Sequence, residues 1–298
     1  MRRFPAVFDL VPDQVAQVIQ LAGLAPSPNN GQPWRFRLLP HAIEVHVDPA
    51  RRLPATDPDD HELRLACGAA LLNLRLALTH AGVRPVVTLL PHLSPPTVLA
   101  EVRSGGHQRP DAEQIALYEA IPERRTQRRP LQPTSVPAAI QHELRVAARA
   151  EGAWLHLVQP AEHDALAGLV RRTRLVDAEP APLLAVLCTA GSDPENDLEA
   201  GQAWQRVWLT ATARGLAATP LPLLAEANGI RDDLRRLLGD VPHPQAWLLI
   251  GYGEPSPAMP RRDPGELLID AVPSTDHEWP VTAEPVRPAA IRRGVPPV

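Results

Sequence analysis

An α+β sandwich built from two related halves is the fold this sequence predicts, and three observations predict it. First, helical and extended patterns alternate along the 298 residues, but only some connections suit parallel crossovers. Second, three segments recur in the same order. Val11-Pro12 with Val15, Ile19, Ala22 and Ala25 returns 125 positions later as Val136-Pro137 with Ile140, Leu144, Ala147 and Ala150. Trp34 to Pro40 returns after 120 positions as Trp154 to Pro160. Leu65, Gly68, Ala70, Leu76 and Gly82 return after 133 positions as Leu198, Gly201, Ala203, Leu209 and Gly215. Helices share periodicity, so one match alone carries little; three in order argue for a duplication. Third, the five positions lost between the first two displacements fall where the second copy lacks a proline-rich loop that the first copy has.

Each element follows from local chemistry. Pro12 and Pro137 stand at helix starts, where the missing N–H costs nothing. Residues 34–39 and 43–47 read as strands. Asp57, Asp59, Asp60 and Glu62 form an acidic lead-in that suits the positive end of the long helix that follows. That helix and its counterpart each end near a glycine, Gly82 or Gly215, as helix C-termini commonly do. Their glycines and alanines share one face, which lets the pair pack closely at the centre. Further strands are expected at 84–90, 98–103, 153–158, 182–188 and 246–251, with the halves joined near residues 105–122. The division is therefore 1–120 and 121–298. Two such halves in one chain mimic a C2 dimer, so a monomer that resembles a fused dimer is expected.

The totals exclude several function classes. A formal charge of −4 and a pI near 6.3 give no reason to expect nucleic acid or an anionic membrane as partner. All 30 basic residues are arginine, which most simply reflects a GC-rich genome, so no single arginine is significant merely for not being lysine. Cys67 and Cys188 lie in apolar stretches and suit two buried thiols in a reducing compartment. No apolar run is long enough for a signal peptide or a membrane span, so the expectation is a soluble cytoplasmic protein. There is no Gly-x-Gly-x-x-Gly and no Gly-Lys-Ser/Thr, hence no support for a Rossmann or P-loop site. His41 and His46 lack partners at metal-ligand spacing and read as surface or core histidines. No metal is expected.

Three motifs carry chemistry. Residues 25–36 read Ala-Pro-Ser-Pro-Asn-Asn-Gly-Gln-Pro-Trp-Arg-Phe. Three prolines and a glycine forbid a helix and make a fixed loop. Pro26 leads Ser27, Asn29, Asn30 and Gln32, uncharged side chains that both donate and accept hydrogen bonds and so suit the polar edge of a planar heterocycle. Composition alone reads first as an ordinary turn-rich surface loop; the order of residues changes that. The second motif, Arg124-Arg125-Thr126-Gln127-Arg128-Arg129, lies between Pro122 and Pro130 as a cationic loop. Arginine forks match phosphate oxygens in pairs, and a threonine hydroxyl adds a donor. The third runs from Gly251-Tyr252-Gly253 to Pro260-Arg261-Arg262-Asp263-Pro264.

In sequence and order the three motifs resemble those of the nitroreductase superfamily, whose members bind FMN. The fused arrangement looks like its Acg-like branch, and the resemblance spans roughly residues 10–270. It implies a nitroreductase-like fold, FMN as cofactor and NAD(P)H as transient co-substrate, with hydride passing through flavin N5 to a nitroaromatic- or quinone-like acceptor. The alternative it permits is an FMN-sequestering protein with little or no turnover. Carried over by position, Arg124, with Arg125 and Thr126, would hold the ribityl and phosphate end. Arg128 would approach the N1–C2 carbonyl edge, where positive charge favours the anionic reduced flavin. Pro26, Ser27, Asn30 and Gln32 would reach the flavin from the first half, Pro220 and Leu221 would lie at its ring, and Arg261 and Arg262 would complete the phosphate site. The flavin itself carries the reaction, so no catalytic side chain is expected. Because the second half has Ala150-Glu151-Gly152-Ala153 in place of the loop, and Arg2-Arg3-Phe4-Pro5 lacks the hydroxyl and third arginine, one flavin site per chain is implied. Arg171 and Arg174 fall loosely near pyrimidine-edge positions. Two departures stand out. The connection from Arg174 to Pro180 is short, and Pro222 lacks the N–H that relatives offer to flavin N5.

Overall fold

The computed structural model describes residues 4–91, 95–158, 162, 183–221, 234–236, 239, 243–254 and 256–269. Strands β1 (Trp34–Leu39), β2 (Ala42–Val47), β3 (Val83–Leu89) and β4 (Val98–His107) form one sheet in the order β1-β2-β4-β3. Strands β5 (Trp154–Leu157), β6 (Leu183–Thr189), β7 (Ala217–Leu221) and β8 (His243–Gly251) form a second in the order β5-β6-β8-β7. Both sheets are antiparallel throughout their named strands. The expected mixture of directions is confined to two parallel bridges, Phe36 with Leu268 and Thr126 with Ala218. The sheets share an irregularity as well as an order. The register slips at Val45/His46 where β2 meets β4, and at Leu187/Cys188 where β6 meets β8. A bulge at corresponding places in two sheets is an inherited feature of a repeat.

Five described helices complete the fold: α1 (Pro12–Ala22), α2 (His61–His80), α3 (Ala112–Glu123), α4 (Ala138–Arg149) and α5 (Pro194–Ala213). Helices α2 and α5 begin and end at positions related by the same displacement of 133 found in the sequence. They pack on one another at the centre, each also against its own sheet. The approach is close because both helices are bare where they cross. A Cβ built on Gly68 would lie 2.4 Å from the Leu198 carbonyl oxygen, and one on Gly201 would lie 2.2 Å from that of Leu65. Both pairs are equivalent under the repeat, so the crossing sits on a local two-fold axis.

Polar groups lock this crossing asymmetrically. Asp197 accepts from Arg64 Nε at 2.8 Å and meets His61 Nδ1 at 2.8 Å, while His61 Nε2 donates to the Gln245 carbonyl at 3.1 Å. Arg64 and Asp197 are themselves equivalent positions carrying opposite charge. Asp57 caps α2 by accepting from the backbone N–H groups of Glu62 and Leu63, as the acidic lead-in required. The expected joint at 105–122 is not an open linker. It contains α3, whose N-cap Asp111 forms a capping box with Gln114. Pro122 lies inside the last turn of α3 and does not bound a loop. Cys67 and Cys188 are buried free thiols, both pushed up by burial, Cys188 to about 12. His46 is a satisfied interior histidine against Glu44 at 2.8 Å. Among the described residues no group of three metal-ligating side chains occurs, and no helix is long and apolar enough to cross a membrane.

Candidate functional site

A cavity of about 740 Å³ opens where the proline-rich loop, the arginine loop and the segment after β8 converge. That volume lies within the roughly 300–1,000 Å³ usual for small-molecule sites. Its wall takes Leu24 and Pro26 to Asn30 from the first loop, Glu62 and Leu65 from α2, and Ile121, Pro122, Arg124, Arg125, Thr126 and Arg128 from the end of α3 onward. Trp204 of α5, Pro220 and Leu221 of β7, Gln245 and Ala246 of β8, and Pro257 to Met259 with Arg261 close it.

The first loop owes its shape to left-handed backbone at Asn29, Asn30 and Gln32, with φ of 49°, 55° and 49°. Asparagine tolerates that region better than most residues. The loop closes on itself: the Gln32 N–H donates to Ser27 Oγ at 2.9 Å, and the Asn30 N–H donates to the Ser27 carbonyl at 3.1 Å. The arginine loop is held by a residue of its motif to which the sequence reading gave no role. Gln127 is buried, its N–H donates to the Ala218 carbonyl, and its own carbonyl accepts from Thr219 Oγ1 at 2.9 Å. Its side-chain oxygen accepts from Ser256 Oγ at 2.6 Å. A Cβ on Gly253 would meet Gln127 Nε2 at 2.8 Å, which accounts for the glycine there. Edge pairing to β7 thus presents Arg124, Arg125, Thr126 and Arg128 to the cavity.

Charge is the distinctive property of this wall. Four arginines face it against one carboxylate, Glu62. Arg124 is buried with its guanidinium 4.6 Å from the Trp208 ring centre, a cation–π stack, and Trp208 meets Trp204 edge-on at 5.3 Å. Arg124 Nη2 reaches the Leu24 carbonyl at 3.4 Å, but Nε and Nη1 have no hydrogen-bond partner among the described residues. Burial, then the charges of Arg261 and Arg125, lowers its pKa to about 9. Arg261 is likewise lowered, by burial and then by Arg125, and its Nε is also unpartnered among the described residues. A mutually repelling set of guanidinium groups with a buried member is stabilised by an anion.

Ten of the twelve expected ligand residues line the cavity: Pro26, Ser27, Asn30, Arg124, Arg125, Thr126, Arg128, Pro220, Leu221 and Arg261. Gln32 and Arg262 do not. Gln32 is buried behind the loop, and Arg262 is turned onto Asp48 at 3.3 Å and the Glu266 carbonyl at 3.1 Å. Both would leave bonded partners to reach a ligand. Arg171, Arg174, the connection to Pro180, and Pro222 lie outside the described residues. Sequence reasoning missed Trp204, Trp208 and Met259. The tryptophans had a usable signal, since residues four apart share a helix face. Met259 Sδ accepts from Arg128 Nη2 at 3.5 Å, a contact between residues 131 positions apart that nothing local announces.

No family model matches the chain. It is similar to the Mycobacterium tuberculosis protein named "Putative NAD(P)H nitroreductase Rv3131", at 29% identity over 90% of this chain and 92% of that one. "Putative NAD(P)H nitroreductase acg" of the same organism is 26% identical over 86% of this chain and 95% of its own length. Among solved structures, "a putative nitroreductase" from Anabaena variabilis superposes with a TM-score of 0.61. The two are 11% identical, and the match covers 81% of this chain and 88% of that one, a likeness of fold.

Proposed function

We propose that this chain, a nitroreductase-superfamily protein with two halves fused, is an FMN-dependent oxidoreductase that passes hydride from NAD(P)H to a nitroaromatic- or quinone-like acceptor. The observation that carries the reading is the arginine wall. Buried Arg124 and half-buried Arg125 and Arg261 form a cationic corner in which Arg124 and Arg261 keep nitrogens unpartnered among the described residues, and the phosphate of FMN would neutralise it. The remaining wall is largely apolar and includes Leu65, Trp204, Leu221 and Ala246, a surface suited to a planar ring. When bound, FMN would supply the hydride-transfer chemistry.

The residues bind, orient and set charge. Arg124, already stacked on Trp208, loses no rotamer freedom when an anion arrives. Thr126 offers a hydroxyl from a backbone fixed by its bridge to Ala218. Arg128, exposed at the cavity wall, is the cation available to the pyrimidine edge, where positive charge stabilises the reduced ring. Among the described residues the cavity is partly open, which suits a nicotinamide and an acceptor entering in turn.

The test is anaerobic mixing of the purified yellow protein with NADPH and then NADH, following flavin absorbance, and afterwards adding a simple quinone. Bleaching on the first step and recovery of colour on the second are expected. Protein that takes up FMN but does not bleach with either nucleotide would be a flavin store. Protein that takes up no flavin would end the reading altogether.

A further inference from the structure

Asn30 belongs to the loop whose polar side chains suit a heterocycle, yet both ends of its amide are already engaged. Nδ2 donates to the Pro260 carbonyl at 2.9 Å, and Oδ1 accepts from Arg261 Nη1 at 2.7 Å. The orientation is unambiguous, because a guanidinium can only donate and a carbonyl can only accept. Gln32, two residues further along the loop, makes a similar link to the next arginine, Arg262. Its Oε1 accepts from the Arg262 N–H at 3.0 Å, and its carbonyl accepts from Arg262 Nη1 at 3.4 Å. Four hydrogen bonds therefore tie this loop to a segment about 230 residues away in sequence. Arg261 is pulled further in by the Leu24 and Ala25 carbonyls, at 3.3 and 3.4 Å.

We infer that Asn30 is a positioning residue, an amide clasp that sets Arg261 into the cavity wall beside Arg124 and Arg125 as a phosphate-binding cation. The proposal rests on the FMN reading and changes the roles within it. Asn30 acts through Arg261 and not by touching the flavin. Arg261 is the late arginine that serves the phosphate, while Arg262, paired with Asp48, staples the segment from behind. An uncharged clasp is required: a carboxylate at position 30 would neutralise Arg261 and compete with the phosphate.

The experiment is a double-mutant cycle in the full chain, reading affinity for FMN and for riboflavin, which lacks the phosphate. Asn30→Ala is expected to weaken FMN about tenfold, to change riboflavin less than twofold, and to cost less than twofold more in an Arg261→Ala background. Asn30→Asp, nearly isosteric, is expected to weaken FMN at least as much as Asn30→Ala with riboflavin unaffected. A parallel loss for both flavins, or losses that multiply in the double variant, would mean that Asn30 meets the ligand or acts independently of Arg261, and the clasp is wrong. FMN affinity unchanged in Asn30→Asp would also overturn it. If the wild type binds neither flavin, the FMN reading fails separately. The cycle is then read as thermal stabilisation by inorganic pyrophosphate, where wild type stabilised and both single variants not is the result the clasp requires. No stabilisation of the wild type would overturn the clasp too.

Discussion

At position 124 a guanidinium sits over Trp208 with two further arginines nearby and two nitrogens unpartnered among the described residues. Such a group raises the free energy of the ligand-free chain and lowers that of the complex. Arg124→Met, which keeps volume and removes charge, should weaken FMN by about 2–4 kcal/mol, the usual cost of deleting one partner of a buried ionic contact. The same variant without flavin should unfold at equal or higher denaturant concentration than wild type. Isothermal titration and urea unfolding of one preparation check both halves of the statement. A variant destabilised without flavin would mean that Arg124 is a structural residue. The site was legible in the sequence through the order of its three motifs, because four arginines in six residues read by themselves as a solvated basic turn. Asn30, Gln32 and Arg262 were not separable in the same way. A polar side chain serves a ligand or a distant partner equally well, and only three-dimensional proximity shows that Asn30 serves Pro260 and Arg261, Gln32 the Arg262 N–H, and Arg262 Asp48.

Among the elements, α2 and α5 bear the largest constraint. A methyl group at position 68 would have to displace backbone, the Leu198 carbonyl and the Gly201 Cα, with no side chain able to yield. Gly68→Ala should therefore cost about 1–3 kcal/mol or more, as overpacking does, read as a lower urea midpoint at unchanged slope. Asp197→Ala should cost about 3–5 kcal/mol, since it strips His61 and Arg64 of a buried counter-charge. Asp197→Asn, which keeps the shape and one acceptor, should cost less, and equal losses would assign the whole effect to the lost charge and none of it to packing. These helices were readable because a long apolar period ending in glycine is a strong signal. Strand β7 was not, for Ala-Ala-Thr-Pro-Leu reads as a turn. It is tolerated because β7 is an edge strand, where a missing N–H leaves no ladder bond broken. Helix α3 was hidden by Pro122, which falls in its last turn.

For the molecule as a whole, the two sheets repeat in order and in one bulge, though the slip at Val83/Pro85 between β3 and β4 has no counterpart between β7 and β8. The cavity wall nevertheless draws its proline-rich loop from one part of the sequence and its arginines from another. One FMN per chain is the expected stoichiometry, measured as flavin released on denaturation against protein concentration; two per chain would restore a second site. The crossing of α2 and α5 also says something about history. In a symmetric pair of identical chains, a residue on the axis faces its own copy, so position 64 could face only another residue of its own kind. Here arginine faces aspartate, a pairing that becomes available only once the two positions are encoded separately. Each such substitution makes return to a pair of identical subunits more costly, because restoring symmetry would set arginine against arginine or aspartate against aspartate in a buried place. Gene fusion of this kind works as a ratchet: the first asymmetric charge pair at the axis commits the lineage to a single chain.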